Sequence, residues 1–168
     1  MTAQLTMPEA IRSVSFQVLG DPASQGSKTT IIRKRKDGST FRNTVDGRSD
    51  AEREKHRTWR SAVAAAARDA RADLGETLDG PLEFRAVFRF AMPASRPKFR
   101  RLLGIGWKST TPDLGKVVRS TEDALKIGGL IADDSRIARQ VVEKVEVLDA
   151  WIGVDLTVST LTDETLPR

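Results

Sequence analysis

A chain of 168 residues with 39% hydrophobic residues has the size of one domain with a modest core. With 28 Lys and Arg against 23 Asp and Glu, the net charge is +5 and the pI about 9.9, a balance that suits a polyanionic partner such as nucleic acid. The absence of cysteine excludes disulfides and thiolate sites, and the single His56 excludes a histidine-rich zinc site, so any metal must rest on carboxylates. No apolar run approaches the roughly 20 residues of a membrane span and the start carries no signal-peptide pattern, so a cytoplasmic protein with no membrane partner and no small-molecule cofactor is expected.

Residues 1–12 carry no pattern and read as a flexible leader ahead of a domain over 13–160. Val14, Phe16 and Val18 alternate with Ser13, Ser15 and Gln17, which predicts a strand. A small Gly-containing loop, 23–28, follows it. Residues 28–42 then hold Lys28, Arg33, Lys34, Arg35, Lys36 and Arg42 against one acid, Asp37, and Lys36-Asp37-Gly38-Ser39 is a turn signal. This reads as a basic hairpin, either touching a phosphate backbone or lying as a solvated surface ribbon. Asp50 through Leu74 predicts a helix capped by Ser49 or Asp50 and stopped by Gly75. Its apolar stripe is Trp59, Ala62, Val63, Ala66, Ala67 and Ala70, and the reading gives it a scaffold role with His56 exposed or capping.

Leu82, Phe84, Ala86, Phe88 and Phe90 alternate with Glu83, Arg85, Val87 and Arg89 in a strand with one strongly apolar face. Residues 96–108 form a basic loop carrying Arg96, Lys98, Arg100, Arg101 and Lys108 with Phe99 and Trp107 interleaved. Such a loop can touch phosphates while an aromatic stacks on exposed bases; the other reading tucks Trp107 into the core. A second helix begins at Pro112-Asp113 and buries Leu114, Val117, Val118, Thr121 and Leu125. Gly128-Gly129 stops it, and the chain returns to Asp133-Asp134. Strands over 136–147 and 152–159, joined by 148–151, are expected to pair as a hairpin, and 161–168 to be a tail. The order predicts a small single α/β (α+β) domain, a mixed β-sheet with helices packed on one side.

Folded back, the second helix could bring Asp113 near Asp133 and Asp134, and converging carboxylates call for a hard cation such as Mg²⁺. The run Pro112-Asp113-Leu114-Gly115-Lys116-Val117-Val118-Arg119, then Asp123-Ala124-Leu125, Gly128-Gly129 and Asp133-Asp134, resembles the RusA family of Holliday junction resolvases of phages and prophages. The resemblance implies a homodimeric, Mg²⁺-dependent endonuclease, with Mn²⁺ as a possible substitute, that resolves four-way DNA junctions by paired symmetric nicks in recombination and repair. It makes Asp113 and Asp134 metal ligands and catalytic acids, adds Asp133 to the acidic cluster, and puts Arg119 and Lys116 at the positions of catalytic cations. The basic residues of 28–36 and 96–108 become DNA contacts.

Gly115 departs from the pattern, since the family has an aspartate there. The glycine leaves three readings: a weakened enzyme using Asp133 instead, a protein that binds junctions without cutting them, or a substitution carried by this particular sequence. A general structure-selective nuclease is a further alternative.

Overall fold

The computed structural model describes residues 11–26, 28–46 and 49–166, so residues 1–10 of the expected leader, Ser27 of the small loop and the last two tail residues lie outside the described residues. Among the described residues the chain forms seven strands and three α-helices: β1 (Ser13–Leu19), β2 (Lys28–Lys34), β3 (Thr40–Asp46), α1 (Asp50–Leu74), β4 (Leu82–Ala91), α2 (Lys98–Leu103), β5 (Ile105–Trp107), α3 (Leu114–Ile127), β6 (Ile137–Val147) and β7 (Gly153–Thr160). Five strands form one mixed sheet in the order β1-β7-β4-β6-β5, while β2 and β3 form a separate antiparallel hairpin. The fold is therefore a small mixed-sheet α+β domain.

β4 is central because its alternation gives it the largest apolar face: Leu82, Phe84, Ala86, Phe88 and Phe90 are all buried. α1 and α3 cover that face. Trp59, Val63 and Ala67 of α1 meet Val117, Ala124 and Leu125 of α3 in one core, and Trp59 Nε1 donates to Thr121 Oγ1 at 3.3 Å. The two helices close tightly at Gly128, where a Cβ would stand 2.6 Å from Ala67 Cβ and 2.7 Å from Ala64 O. The alanine run of α1 thus serves helix–helix contact as well as the sheet. Ser49 caps α1 in a reciprocal capping box with Glu52, and Gly75 ends it in the left-handed conformation.

Three expectations are corrected. β6 and β7 do not form a hairpin: β4 lies between them, parallel to β6 and antiparallel to β7. Both strands seek the same apolar neighbour, and residues 148–152, with Asp149 at φ 56°, carry the chain over the end of β4. Residues 96–108 are not a loop throughout but contain α2 and the edge strand β5, and Trp107 is 66% exposed rather than tucked into the core. His56 is buried at 8% exposure rather than exposed, because it lies one turn ahead of Arg60 on the side of α1 that also carries Trp59 and Val63. At the chain's ends, Arg12 N donates to Thr160 Oγ1 at 2.9 Å, and Thr162 opens a short 3₁₀ turn, Asp163–Thr165.

Candidate acidic site and basic cleft

Asp113 caps α3: its side chain accepts the Gly115 N–H at 3.2 Å. The turn before it is held from the sheet. Lys144, on the helix-facing side of β6, donates from Nζ to Thr110 O at 2.8 Å and to Pro112 O at 2.7 Å. Burial, and then the charge of Lys108, push the Lys144 ammonium below its ordinary value, while Asp113 pulls it back up. No signal in the sequence pattern marks Lys144 as the anchor of the α3 start.

A cleft of about 680 Å³ opens beside Asp113. Loop residues 21–26, Glu52 and Lys55 of α1, Phe90, Lys108 and Lys116 line it. Gln25 ties the loop to α3, its N–H donating to Lys116 O at 3.2 Å and its Nε2 to Asp123 Oδ2 at 3.0 Å. Lys108 of the lining stands 3.6 Å from Glu146, which at 1% side-chain exposure takes Arg96 Nε at 2.6 Å and a second bond from Arg96 Nη2. Arg96 first, and Lys108 with it, hold the Glu146 carboxyl below its usual range. Lys108 Nζ also lies 5.3 Å from the centre of the Phe90 ring. Arg96 and Lys108, expected as DNA contacts, are thus turned inward onto an acid.

The other predicted acids lie at the far end of α3. Asp133 accepts from Lys126 Nζ and from Ser135 N–H at 3.0 Å, and Lys126 stands 3.8 Å from Asp134. Lys126 and Ser135 hold the Asp133 carboxyl well below the ordinary carboxylate range. Glu122 joins this end. Burial, then the charges of Asp134 and Asp123, push it up to about 7, against the hydrogen bond from Gln140 and the charge of Arg119. Sequence reasoning passed over Glu122, which looks like any helix-surface acid.

α3 has 14 residues, so its ends are ~21 Å apart at about 1.5 Å per residue. β6 gives the same scale: Lys144 anchors the Asp113 end, Ile137 follows the Asp134 end, and seven residues of strand span ~23 Å. One chain therefore does not gather Asp113, Asp133 and Asp134 around one cation, and among the described residues no group of three acids or imidazoles stands close enough to hold a metal. Lys116 is in the cleft with Asp113, whereas Arg119, two turns into the helix and exposed, lies nearer the Glu122–Asp134 end. A Cβ on Gly115 would meet just Asp113 Oδ1, at 3.9 Å, so a side chain fits there.

Most of the other predicted DNA contacts are exposed. Arg33, Lys34, Arg35 and Lys36 are exposed on the β2–β3 hairpin, where Arg35 lies 5.1 Å from the Phe41 ring centre, and Lys28 begins β2. Lys98 and Arg101 are exposed on α2 and Arg100 is half-buried. No helix among the described residues is long and apolar enough to cross a membrane.

Compared with known proteins, residues 34–157 match the family model described as endodeoxyribonuclease RusA. No curated protein matches the chain.

Proposed function

We propose, from the premise that the chain belongs to the RusA endodeoxyribonuclease family, that it is a structure-selective endodeoxyribonuclease that resolves four-way DNA junctions by paired nicks. The observation that carries this reading is the family match over residues 34–157, which takes in part of the basic hairpin, the cleft lining other than the loop 21–26, and the acids at both ends of α3. Hydrolysis of a phosphodiester needs an activated water and a stabilised leaving oxygen, and a carboxylate-bound Mg²⁺, or Mn²⁺ in its place, supplies both.

The residues of a single chain do not fit that ion, because its acids divide between the ends of α3. The reading therefore includes a homodimer, which also matches the two symmetric strands of a junction. Within the chain, Asp113 shares its cleft with Lys116, a cation suited to a phosphate. The exposed cations of the hairpin and of α2 are suited to the DNA backbone. Arg119 keeps the charge of the family's catalytic lysine with a planar, longer head.

A second reading, junction binding without cleavage, is favoured by Gly115, which removes an acid from the α3 start. Cleavage of a labelled four-way junction with Mg²⁺ or Mn²⁺ separates the two. Symmetric nicks by the parent chain, lost in Asp134→Asn, support the enzyme. Cutting by Gly115→Asp but not by the parent supports the binder with one missing acid. Tight binding with no cutting by any of these proteins ends the catalytic reading.

A further inference from the structure

β6 is paired along all of one side by β4, but on its other side β5 covers just Val145–Val147, and Lys108 N donates to Lys144 O at 3.0 Å to close that end. Among the described residues nothing pairs with the rest of that edge. At the opposite end the β4–β6 ladder shifts register at Ala138 and is regular from Arg139 onward. An open, regular edge therefore runs over residues 139–143. It contains no proline and no glycine, and such an edge is a template for another strand.

We infer that two copies of the chain pair antiparallel along this edge, across a two-fold axis at Val141. The inference rests on the homodimer reading above and names its surface. Three observations select the occupant and the register. First, the bonds at the closed end fix which backbone groups face outward. Lys144 O accepts from Lys108, and Leu148 N donates to Gly104 O at 2.8 Å, so the alternate residues Gln140 and Val142 turn N–H and C=O to the open edge. With Val141 opposite itself, Gln140 of each copy exchanges both backbone bonds with Val142 of the other.

Second, the side chains are self-complementary in that register. Arg139, Val141 and Glu143 share the sheet face turned away from the helices, next to Glu83, Arg85 and Val87 of β4. Antiparallel self-pairing sets Arg139 of one copy opposite Glu143 of the other, on both sides of a Val141–Val141 contact. Arg139 Nε already holds Glu83, and the guanidinium has further donors for a second carboxylate. A shift of the axis to Gln140 puts Arg139 opposite Val141 and loses this match. Val141 is 40% exposed in the single chain.

Third, the neighbouring surface is apolar where a pair of this size needs area. Ile105 and Trp107 of β5 lie on the same sheet face, and Phe99, Leu102 and Leu103 of α2 are exposed beside them. Stable interfaces bury about 1,200–2,000 Å² in all, more than a five-residue strand pair provides. The same axis also sets the α3 start of one copy on the side that holds the Asp133–Asp134 end of the other, since α3 and β6 run antiparallel.

The chain has no cysteine, so a single introduced one is a clean probe. A non-hydrogen-bonded antiparallel pair stands about 4.5 Å apart at Cα, within disulfide range. Val141→Cys under mild oxidation is expected to give a disulfide-linked dimer, and Ser15→Cys, exposed on the opposite edge strand β1, to stay single. Val141→Lys, with two like charges face to face, is expected to raise the dissociation constant of the pair by about tenfold or more, measured by sedimentation, with an unchanged circular dichroism spectrum. A dimeric parent whose Val141→Cys form does not bridge overturns this surface and leaves the dimer. A parent that stays monomeric at all concentrations, or equal bridging of both cysteine variants, overturns the pairing itself. Junction cleavage by the same samples is scored separately: bridging without cleavage sinks the nuclease reading alone, and cleavage without bridging sinks the β6 pairing alone.

Discussion

The two ends of α3 carry the same residue type in opposite electrostatic settings. At the start, Asp113 caps α3 at the positive end of the helix dipole, its side chain accepting the Gly115 N–H, in a cleft that Lys116 also lines. Past the other end, Asp133 and Asp134 meet the negative end of the dipole, and Lys126 of the last turn is drawn onto both. The comparison teaches that an acid before a helix stays available for a ligand, whereas acids after one are neutralised from within the chain unless something competes.

Asp113→Asn breaks that comparison most directly. Asparagine caps a helix as well as aspartate does, so the fold should hold. We expect junction cleavage to fall by ~100-fold or more, as when a charge-stabilising group at a reacting centre is lost. Single-turnover cleavage, with a thermal melt as control, checks it; parental rates would remove the α3 start from the site.

Glu146→Ala comes next, because it undermines the cleft beside Asp113. Removing one partner of a buried pair should cost about 3 kcal/mol, the low end of the usual range, since Arg96 keeps some access to water. The pair also predicts acid sensitivity. Glu146 is held below its ordinary value of 4.5, so the unfolded chain takes up its proton first as the pH falls. The stability it contributes is complete above 4.5 and is lost as the pH drops through the lowered folded value. Melting curves of parent and Glu146→Gln between neutral and acid pH should converge toward the acid end.

The sequence showed the fold better than the site. α1 and α3 were legible to within a residue of their caps, because Gly75 and Asp113 carry clear local signals and the α1 start was narrowed to Ser49 or Asp50. The β6–β7 hairpin was misread because alternation reports which face of a strand is buried and not which strand lies beside it; a third strand, β4, satisfied both. Asp113, Asp133 and Asp134 were legible as acids flanking a helix, but their separation follows from helix length and the course of β6. Lys144, Glu122 and Glu146 gave no signal, since each takes its role from residues far along the chain: Pro112, Asp134 and Arg96.

Gly115→Asp sharpens the contrast by adding a second acid to the open end. The space beside Gly115 accepts a side chain, and an acid in a first helical turn is favourable. We expect Mn²⁺ to bind about tenfold more tightly, read by calorimetry, with a slightly more stable helix than glycine allows. Unchanged affinity would mean that the α3 start does not bind the cation.

Lys126→Met has the smallest expected effect and tests the other end. Lys126, Asp133 and Asp134 all reach solvent, and exposed pairs of this kind contribute little to folding, so the melting temperature should stay within error. What should move is ionisation. Lys126 is the first cause of the depressed Asp133 carboxyl, and its removal should bring that group up toward the ordinary range, with Ser135 N–H still holding it partly down. Side-chain carboxyl NMR across the acid range would follow it. If the lysine is a plug on acids that a ligand must win, the variant should also bind Mn²⁺ at that end more tightly than the parent. If instead it loses junction cleavage while its acids titrate as described, Lys126 acts on the DNA, and the difference between the two ends is one of role rather than availability.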